Sequence, residues 1–423
     1  MTSFQYKNGE LHADGLSLKT LADAAGTPFY CYSETAIVRQ FDAYLAAFAG
    51  HDVRICYAMK ANDNLAVLRA LAERGSGADV VSVGELKKAS AAGVPADMTI
   101  FSGVGKTREE LCAALDAEIM QINIESLPEL EALSDIAKVK GKTIEIAIRV
   151  NPNIDAKTHE KISTGRRQDK FGINIEQAQE AWRRAAHLPG IEPTSVAVHI
   201  GSQLTSLEPF RKAFTRVATL VGELRKAGHK IKRVDLGGGL GIDYGGTPPP
   251  SVAAYAEVVK QTVGDLGCSI LLEPGRNIVG NAGVLVTRVI YTKHGGERDF
   301  LIVDAAMNDL IRPALYEAHH GIRPVTEPTN RKSLTPVDVV GPICETGDTF
   351  ARARDLPPLS AGDLLVLDSA GAYGAVMAST YNCRPHIGEV MVRGDQFSIV
   401  RRRQSIEDMM HAESFASWQS PGK

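Results

Sequence analysis

Four short stretches of this chain gather residue types that can do chemistry together. In Tyr57-Ala58-Met59-Lys60-Ala61-Asn62 a lysine closes a run of buried-strand character, and the chain then breaks toward a helix capped near Asn62 or Asp63. Among apolar neighbours its ammonium is disfavoured by desolvation, which frees the amine to act as a Schiff-base nucleophile; a lysine snorkelling from a strand end to solvent fits the same hexapeptide. Asp235-Leu236-Gly237-Gly238-Gly239-Leu240-Gly241 runs a strand into three residues without Cβ, whose N–H groups can converge on a phosphate. The dinucleotide fingerprint does not fit, because Ile242 stands three residues after Gly239 where that pattern needs glycine; a glycine-rich turn without a ligand is the alternative. Glu273-Pro274-Gly275-Arg276 joins a carboxylate to a guanidinium, as part of a ligand site or as a structural ion pair. His199-Ile200-Gly201-Ser202 offers an imidazole able to lie flat against an aromatic ring and a hydroxyl able to donate to a phosphate, although a strand-end histidine is often only a hydrogen-bonded structural residue.

Two further clusters lie nearer the C-terminus. Gly341-Pro342-Ile343-Cys344-Glu345-Thr346-Gly347-Asp348 sets a thiol and two carboxylates in a tight turn, and 308–320 (NDLIRPALYEAHH) sets Arg312 and Tyr316 four residues apart. Both can be purely structural, and by default Cys344 is an inert, half-buried thiol. Ser102-Gly103-Val104-Gly105-Lys106-Thr107 nearly spells a nucleotide P-loop, but the first glycine of that motif would fall at Ile100, inside an apolar strand. Without it the phosphate-wrapping turn lacks a residue of permissive dihedrals.

The elements that must position these residues follow from periodicity. Between residues 50 and 276, β-rich segments at 53–61, 78–83, 98–102, 119–124, 143–150, 195–201, 232–236 and 269–273 alternate with amphipathic helical stretches at 65–74, 84–92, 108–117, 128–139, 176–187, 209–227 and 252–263. Eight strands separated by seven helices predict a TIM (β/α)8 barrel rather than an open doubly wound sheet. In such a barrel Lys60 stands on the catalytic face, and the glycine run and Glu273–Arg276 occupy the loops after strands seven and eight, where barrels often bind phosphate. After Arg276 the texture changes to β-like segments at 284–292, 300–303, 337–340, 364–367 and 397–401, a mainly antiparallel β domain. The expected organisation is an N-terminal segment 1–35, with a short extended piece at 4–7, that joins the β domain, a barrel at 36–276, and the β domain at 277–423.

Composition excludes several classes. The chain has 423 residues, 44% hydrophobic and 23% charged, which is ordinary for a soluble globular protein, and its net charge of −3 carries no nucleic-acid footprint. The basic run Arg401-Arg402-Arg403 reads as a solvated strand end. Six scattered cysteines form no CxxC and no zinc-like pairing with the eleven histidines, so neither a disulfide scaffold nor a metal site is expected. No apolar run approaches the roughly 18 residues of a spanning helix, and the start lacks a secretory pattern. The expectation is a cytoplasmic protein that binds neither nucleic acid nor membrane.

YAMKAN (57–62), HIGSQ (199–203), DLGGGLG (235–241), EPGR (273–276), NDLIRPALYEAHH (308–320), GPICETGD (341–348) and GAYG (371–374) stand in an order and spacing that resembles the fold-type III pyridoxal-phosphate decarboxylases over nearly the whole chain. Within them, GPICETGD and NDLIRPALY resemble the diaminopimelate decarboxylase family rather than the ornithine or arginine branches, where an aspartate usually follows the cysteine. The resemblance implies decarboxylation of meso-2,6-diaminopimelate to L-lysine, the last step of lysine biosynthesis, with pyridoxal 5'-phosphate as cofactor. It implies that Lys60 carries the cofactor in Schiff-base linkage, Glu273 keeps the pyridine nitrogen protonated and His199 stacks on the ring. Ser202, Gly238, Gly239, Gly275 and Tyr373 hold the phosphate, with Arg276 and Asp79 in the cofactor's surroundings. Cys344 delivers the proton that replaces the carboxylate, while Arg276, Arg312, Tyr316, Glu345 and Tyr373 grip the distal end of the substrate. The resemblance also implies a homodimer in which the Cys344-Glu345 turn reaches into the neighbouring subunit's site. A racemase on the same scaffold usually sets an arginine where Glu273 stands, and a regulatory relative would lack the second domain or its cysteine. A sister decarboxylase acting on another amino acid is the remaining alternative.

Overall fold

The computed structural model describes residues 3–156, 160–162, 164–166, 168–246, 248–328 and 334–419. The chain divides into two compact units, Ala36–Gly280 and the pair of segments Met1–Thr35 and Asn281–Lys423.

In the first unit eight parallel strands, Val53–Ala58, Gly77–Val80, Thr99–Phe101, Gln121–Ile124, Ile144–Asn151, Ile191–Ala197, Arg233–Asp235 and Ser269–Leu272, pair in chain order, and the last returns to pair with the first. This is the expected (β/α)8 barrel. The sixth strand begins earlier than its sequence suggests, because Pro193 is absorbed at a register shift between Pro193 and Ser195; a proline without N–H is tolerated at such an irregularity. Local sequence sets the strand-to-helix turns. Ser82, Thr107 and Ser126 each accept the backbone N–H of a glutamate three residues on, at Glu85, Glu110 and Glu129, so three successive helices start on the same side-chain device. The helix after the first strand is capped by Asn64, not by Asn62 or Asp63. Thr107 and Lys106 are thereby accounted for without a nucleotide. Thr107 caps its helix, and Lys106 is buried against Glu129 at 2.6 Å and the carbonyls of Gly103 and Asn123.

Only a short helix, Arg276–Val279, follows the eighth strand. A helix absent from the periodicity reading, Glu34–Ala47, supplies cover there: Gln40 and Tyr44 donate to Asn277 Oδ1 at 2.8 and 3.2 Å, and Asn277 donates to the Gly241 carbonyl at 2.7 Å.

The second unit is built on a sheet in which Thr349–Leu356, Thr335–Val340, Asp299–Val303, Gly283–His294, Phe29–Ser33, Gly388–Arg393 and Gln396–Arg401 are successive neighbours, with Leu364–Leu367 also paired to Gly283–His294. Most pairs are antiparallel; Phe29–Ser33 with Gly388–Arg393 and Asp299–Val303 with Thr335–Val340 are parallel. The N-terminal segment enters this sheet through Phe29–Ser33. Phe4–Lys7 forms a separate three-stranded meander with Glu10–Ala13 and Leu16–Ser17, and its Phe4, Leu11 and Ala13 share a core with Phe29, Cys31, Val284 and Val390. FYCYS escaped detection because all five residues are buried, so the strand shows no alternation. The Arg401–Arg403 run is not simply solvated. Arg401 pairs with Glu389 at 2.7 Å, Arg402 with Asp408, and Arg403 donates to the Gly26 and Pro28 carbonyls.

Among the described residues no helix is long and apolar enough to cross a membrane. Phe29, fully buried at the middle of the sheet, is the sensitive point of the second unit. Phe29→Ala is expected to cost about 3–5 kcal/mol through lost burial and the cavity left behind. Chemical denaturation followed by fluorescence checks this, and a cost below about 1 kcal/mol would contradict the central place given to this strand.

Candidate functional site

At the C-terminal end of the barrel, seven strand ends contribute to one polar cavity. The first strand stops at Ala58, whose N–H donates to the Pro274 carbonyl at 3.1 Å, and a single helical turn, Met59–Ala61, carries Lys60 at the mouth. The neighbours of Lys60 are not only apolar, as its sequence suggested. Its Nζ lies 2.5 Å from Oδ2 of Asp79 on the second strand, a residue with no exposed surface. The ammonium is thus balanced by a carboxylate. The other Asp79 oxygen is buried and accepts no hydrogen bond among the described residues, an orphan that a donor at the cavity would satisfy.

Across the cavity Glu273 and Asp235, from the ends of strands eight and seven, are hydrogen-bonded to each other. Burial pushes the Glu273 carboxyl far above the usual range, and the negative charges of Asp235 and Asp79 push it further. Asp235 is also raised by burial, but it accepts Asn123 Nδ2 at 2.9 Å and the Gly237 N–H at 3.0 Å, which favour its ionised form. Burial beside two other acids thus favours the protonated form of Glu273 over that of Asp235. Ser102 and Asn123 reach the same carboxyl at 3.5 Å each. A cation brought beside Glu273 would release that proton, so the pocket is electrostatically prepared for one.

His199 lines the cavity with Lys60, and its Nδ1 accepts the Gly238 N–H at 3.2 Å, which leaves Nε2 as the protonated nitrogen. Burial first, then the charges of Arg149 and Lys60, hold its pKa well below 6.5, so the ring is neutral. Arg149 itself is fixed by a buried ion pair with Glu125 at 2.6 Å. The glycine run needs its glycines. Gly239 has φ of 113°, and a Cβ there would lie 2.4 Å from the Gly201 carbonyl, while one on Gly238 would lie 2.2 Å from the Glu273 carbonyl. Not all three amides converge on a ligand, since those of Gly237 and Gly238 are taken by Asp235 and His199. Gly275 packs a Cβ-free face against Ala58 and Ala61, and Arg276 is buried with its guanidinium on the hydroxyls of Ser202, at 3.2 Å, and Tyr244, at 2.6 Å. The barrel thus brings together Lys60, Asp79, His199 and Glu273, and, beside the glycine run, Ser202, Gly238, Gly239, Gly275 and Arg276. The sequence reading gave no role to Ser102, Asn123, Arg149, Asp235 or Tyr244. A polar residue inside an apolar barrel strand, as in QINI, was the available signal.

The second unit holds its own cluster. Arg312 opens the helix Arg312–Tyr316 and is buried, its Nε donating to His320 Nε2 at 3.3 Å; His320 Nδ1 meets the Asp368 carbonyl at 2.8 Å. Its guanidinium lies 5.8 Å from the centre of the Tyr316 ring. Tyr373 sits in a turn with left-handed backbone, φ 55°. Cys344 and Glu345 are exposed at the tip of their turn, so Cys344 is not the half-buried thiol of the default reading. Asp348 is the inward member, accepting the N–H groups of Met307 at 2.6 Å and Ile343 at 2.7 Å.

A parallel barrel with an amine at the first strand end, buried acids opposite it and a glycine cradle after strand seven defines a cofactor-binding barrel of one class. Residues 34–280 match the family described as pyridoxal-dependent decarboxylase, pyridoxal binding domain. The chain is 45% identical to the diaminopimelate decarboxylase of Zymomonas mobilis over 99% of this chain and 100% of that one. Solved structures of diaminopimelate decarboxylases in complex with L-lysine are similar throughout. That from Helicobacter pylori has a TM-score of 0.90 at 41% identity, covering 94% of this chain and 99% of its own. That from M. jannaschii has a TM-score of 0.93 at 36% identity and covers 98% of both chains. The chain belongs to the pyridoxal-dependent decarboxylase family, in its diaminopimelate decarboxylase branch.

The depressed His199 pKa has a consequence for stability. The unfolded chain takes up a proton at this residue as pH falls through about 6.5, while the folded protein does not until lower pH, so stability present above that value is lost below it. His199→Asn should flatten the loss between pH 7 and pH 5. Urea denaturation of the cofactor-free protein at the two pH values measures it, and equal losses in variant and wild type would contradict the buried neutral ring.

Proposed function

We infer that the protein removes the carboxylate from one end of meso-2,6-diaminopimelate, giving L-lysine and carbon dioxide, with pyridoxal phosphate as cofactor. The observation that carries this reading is the cluster of Lys60, at the cavity mouth, with the buried Asp79, Asp235 and Glu273, an amine and three acids suited to a cationic ring. The lysine bound in the Helicobacter pylori and M. jannaschii enzymes is the product of the same reaction and supports the same substrate here.

Pyridoxal phosphate, when bound, supplies an electron sink for the pair that carbon dioxide leaves behind. Lys60 would hold the cofactor through its amine. Glu273, buried beside Asp235, would pair with the cofactor's pyridine nitrogen and favour its protonated form. His199, neutral through burial, offers a flat uncharged face. Ser202, Gly239, Gly275 and Tyr373 would hold the phosphate, with Arg276 beside them and Gly238, whose N–H is taken by His199, giving close backbone approach without a donor of its own, and Asp79 balances the Lys60 ammonium. Cys344 delivers a proton to the carbon that has lost its carboxylate. Arg276 and Arg312 take the distal carboxylate, Tyr316 and Tyr373 line it, and Glu345 takes the distal ammonium. The exposed Cys344-Glu345 turn supports a homodimer in which this turn completes the neighbouring subunit's site. Six cysteines without a disulfide fit the reducing cytoplasm as its compartment.

Two experiments test the reading. Mixing inactive Lys60→Ala and Cys344→Ala chains should restore part of the activity, since one of the two sites in a mixed dimer is then intact. Confirmed heterodimers without activity would exclude shared sites. For substrate choice, only a molecule with an amino acid at both ends satisfies two arginines and a carboxylate. Ornithine would leave buried guanidinium groups unmatched, a mismatch that can discriminate by about 10⁴-fold. Arg312→Ala is expected to cost about 2–5 kcal/mol of transition-state binding for meso-diaminopimelate and to erode that preference. Carbon dioxide release across meso-diaminopimelate, lysine, ornithine and arginine checks both, and comparable wild-type kcat/KM for ornithine would move the protein to a sister decarboxylase.

A further inference from the structure

The turn carrying Cys344 and Glu345 has no strand ladder of its own to hold it. Its base is fixed by Asp348, buried, whose carboxylate gathers the N–H groups of Ile343 and Met307, while the Gly341 N–H donates to the Asp348 carbonyl at 3.1 Å. Its tip is exposed from Cys344 to Thr346, and two neighbouring residues of a different loop reach it. The Asn382 side-chain oxygen accepts the Cys344 N–H at 3.0 Å. The Tyr381 hydroxyl is hydrogen-bonded to the Glu345 carboxylate, and this bond is the leading reason that the phenol is harder to ionise than usual.

Those two residues are held in turn. Asn382 and Cys383 both adopt left-handed backbone, φ 56° and 55°, a conformation that asparagine tolerates better than most residues and that persists only where surroundings enforce it. Just before them, Ser379 exchanges hydrogen bonds with Asn308: its N–H donates to the Asn308 carbonyl at 2.9 Å, and Asn308 Nδ2 donates to the Ser379 carbonyl at 3.1 Å. Asn308 lies in the loop that leads into the Arg312 helix. Three loops, bearing Arg312, the Cys344-Glu345 turn and Tyr381-Asn382, are thus tied into one frame. Tyr381 is 46% exposed, so its hydroxyl is not sustaining a core and its removal should cost little folding stability.

We propose that Tyr381 and Asn382 are positioning residues of the active site: Tyr381 holds the Glu345 carboxylate oriented for the distal ammonium of the substrate, and Asn382 holds the backbone at Cys344 so that its thiol meets the reacting carbon. This rests on the roles given to Cys344 and Glu345 above and deepens them. Both residues act through a neighbour, so each effect must disappear when that neighbour is already removed.

The test is steady-state kinetics of the full-length holoenzyme on meso-diaminopimelate with Tyr381→Phe, Glu345→Gln and the double variant. Tyr381→Phe should lower kcat/KM by about 5–20-fold, the worth of one hydrogen bond to a charged group, mostly through KM with kcat within about threefold. In the Glu345→Gln background the same change should alter kcat/KM by less than about twofold. A full effect in that background, or none in the wild-type background, overturns the positioning role. If Glu345→Gln alone leaves kcat/KM unchanged, the reading of Glu345 itself fails and the proposal falls with it, a result distinct from a damaging Glu345→Gln with a silent Tyr381→Phe. For the second residue, Asn382→Ala should lower kcat with little change in KM, and Asn382→Asp, which keeps an acceptor oxygen and tolerates the same backbone, should recover most of it. An aspartate variant as impaired as the alanine one overturns that half.

Discussion

Three carboxylates, Asp79, Asp235 and Glu273, converge in a cavity lined by the ends of barrel strands, and the arrangement of that cavity follows from what their charges require. Buried like charges cannot all ionise together. The protein meets this in two ways: Lys60 pairs with Asp79, and burial beside Asp235 favours the protonated form of Glu273. Barrel closure makes the meeting possible, because these four residues come from strands seven, eight, one and two, which are consecutive neighbours only once the last strand pairs with the first. The site is left ready for one more positive charge. The protonated pyridine nitrogen of the cofactor proposed to bind here would supply one, and the neutral His199 adds no competing cation of its own.

A different constraint governs the second unit, where the chemistry-bearing residues sit on loops and not on strand ends. Loops pay in mobility for what they gain in reach, so their functional side chains need fixed neighbours. Here the neighbours are single inward polar groups. Asp348 joins the base of the Cys344-Glu345 turn to Met307, Asn308 joins the following residues to Ser379, and His320 joins Arg312 to the Asp368 carbonyl. Each link replaces the ladder that a strand would have provided.

The barrel was legible in the sequence because its strands are short apolar runs separated by amphipathic helices, the strand signal repeating eight times and the helix signal seven. The residues at Lys60, His199, Glu273 and the glycine run were legible because they interrupt those runs at one end. Asn123 and Asp235 were harder to assign: their part in the site is to fix the protonation of Glu273, which depends on contacts across the barrel that spacing does not encode. Lys60 shows the same limit, since Asp79 is nineteen residues away and only strand pairing brings it to the amine. The helix Glu34–Ala47 and the strand Phe29–Ser33 were missed for opposite reasons. The helix lies ahead of the repeating pattern, and the strand is buried on both faces and so lacks a period.

Along the chain the two kinds of residue mostly separate, Arg276 and Tyr373 being the exceptions because each is proposed for both the cofactor and the distal end of the substrate. Those proposed to handle the cofactor ring fall between Lys60 and Glu273, within the barrel, whereas Arg312, Tyr316, Glu345 and Tyr381, proposed for the distal end of the substrate, all belong to the second unit. Electron withdrawal by the cofactor is common to every amino acid that can be decarboxylated, so nothing in the barrel's charge arrangement needs to change with the substrate. Selection among substrates would instead depend on matching a distal carboxylate and ammonium, a match proposed, apart from Arg276, for side chains of the second unit whose replacement leaves the buried acids of the barrel undisturbed. A fold divided this way can vary what it recognises at a few exposed turns, provided that the inward residues fixing those turns, Asp348 and Asn308 among them, are kept.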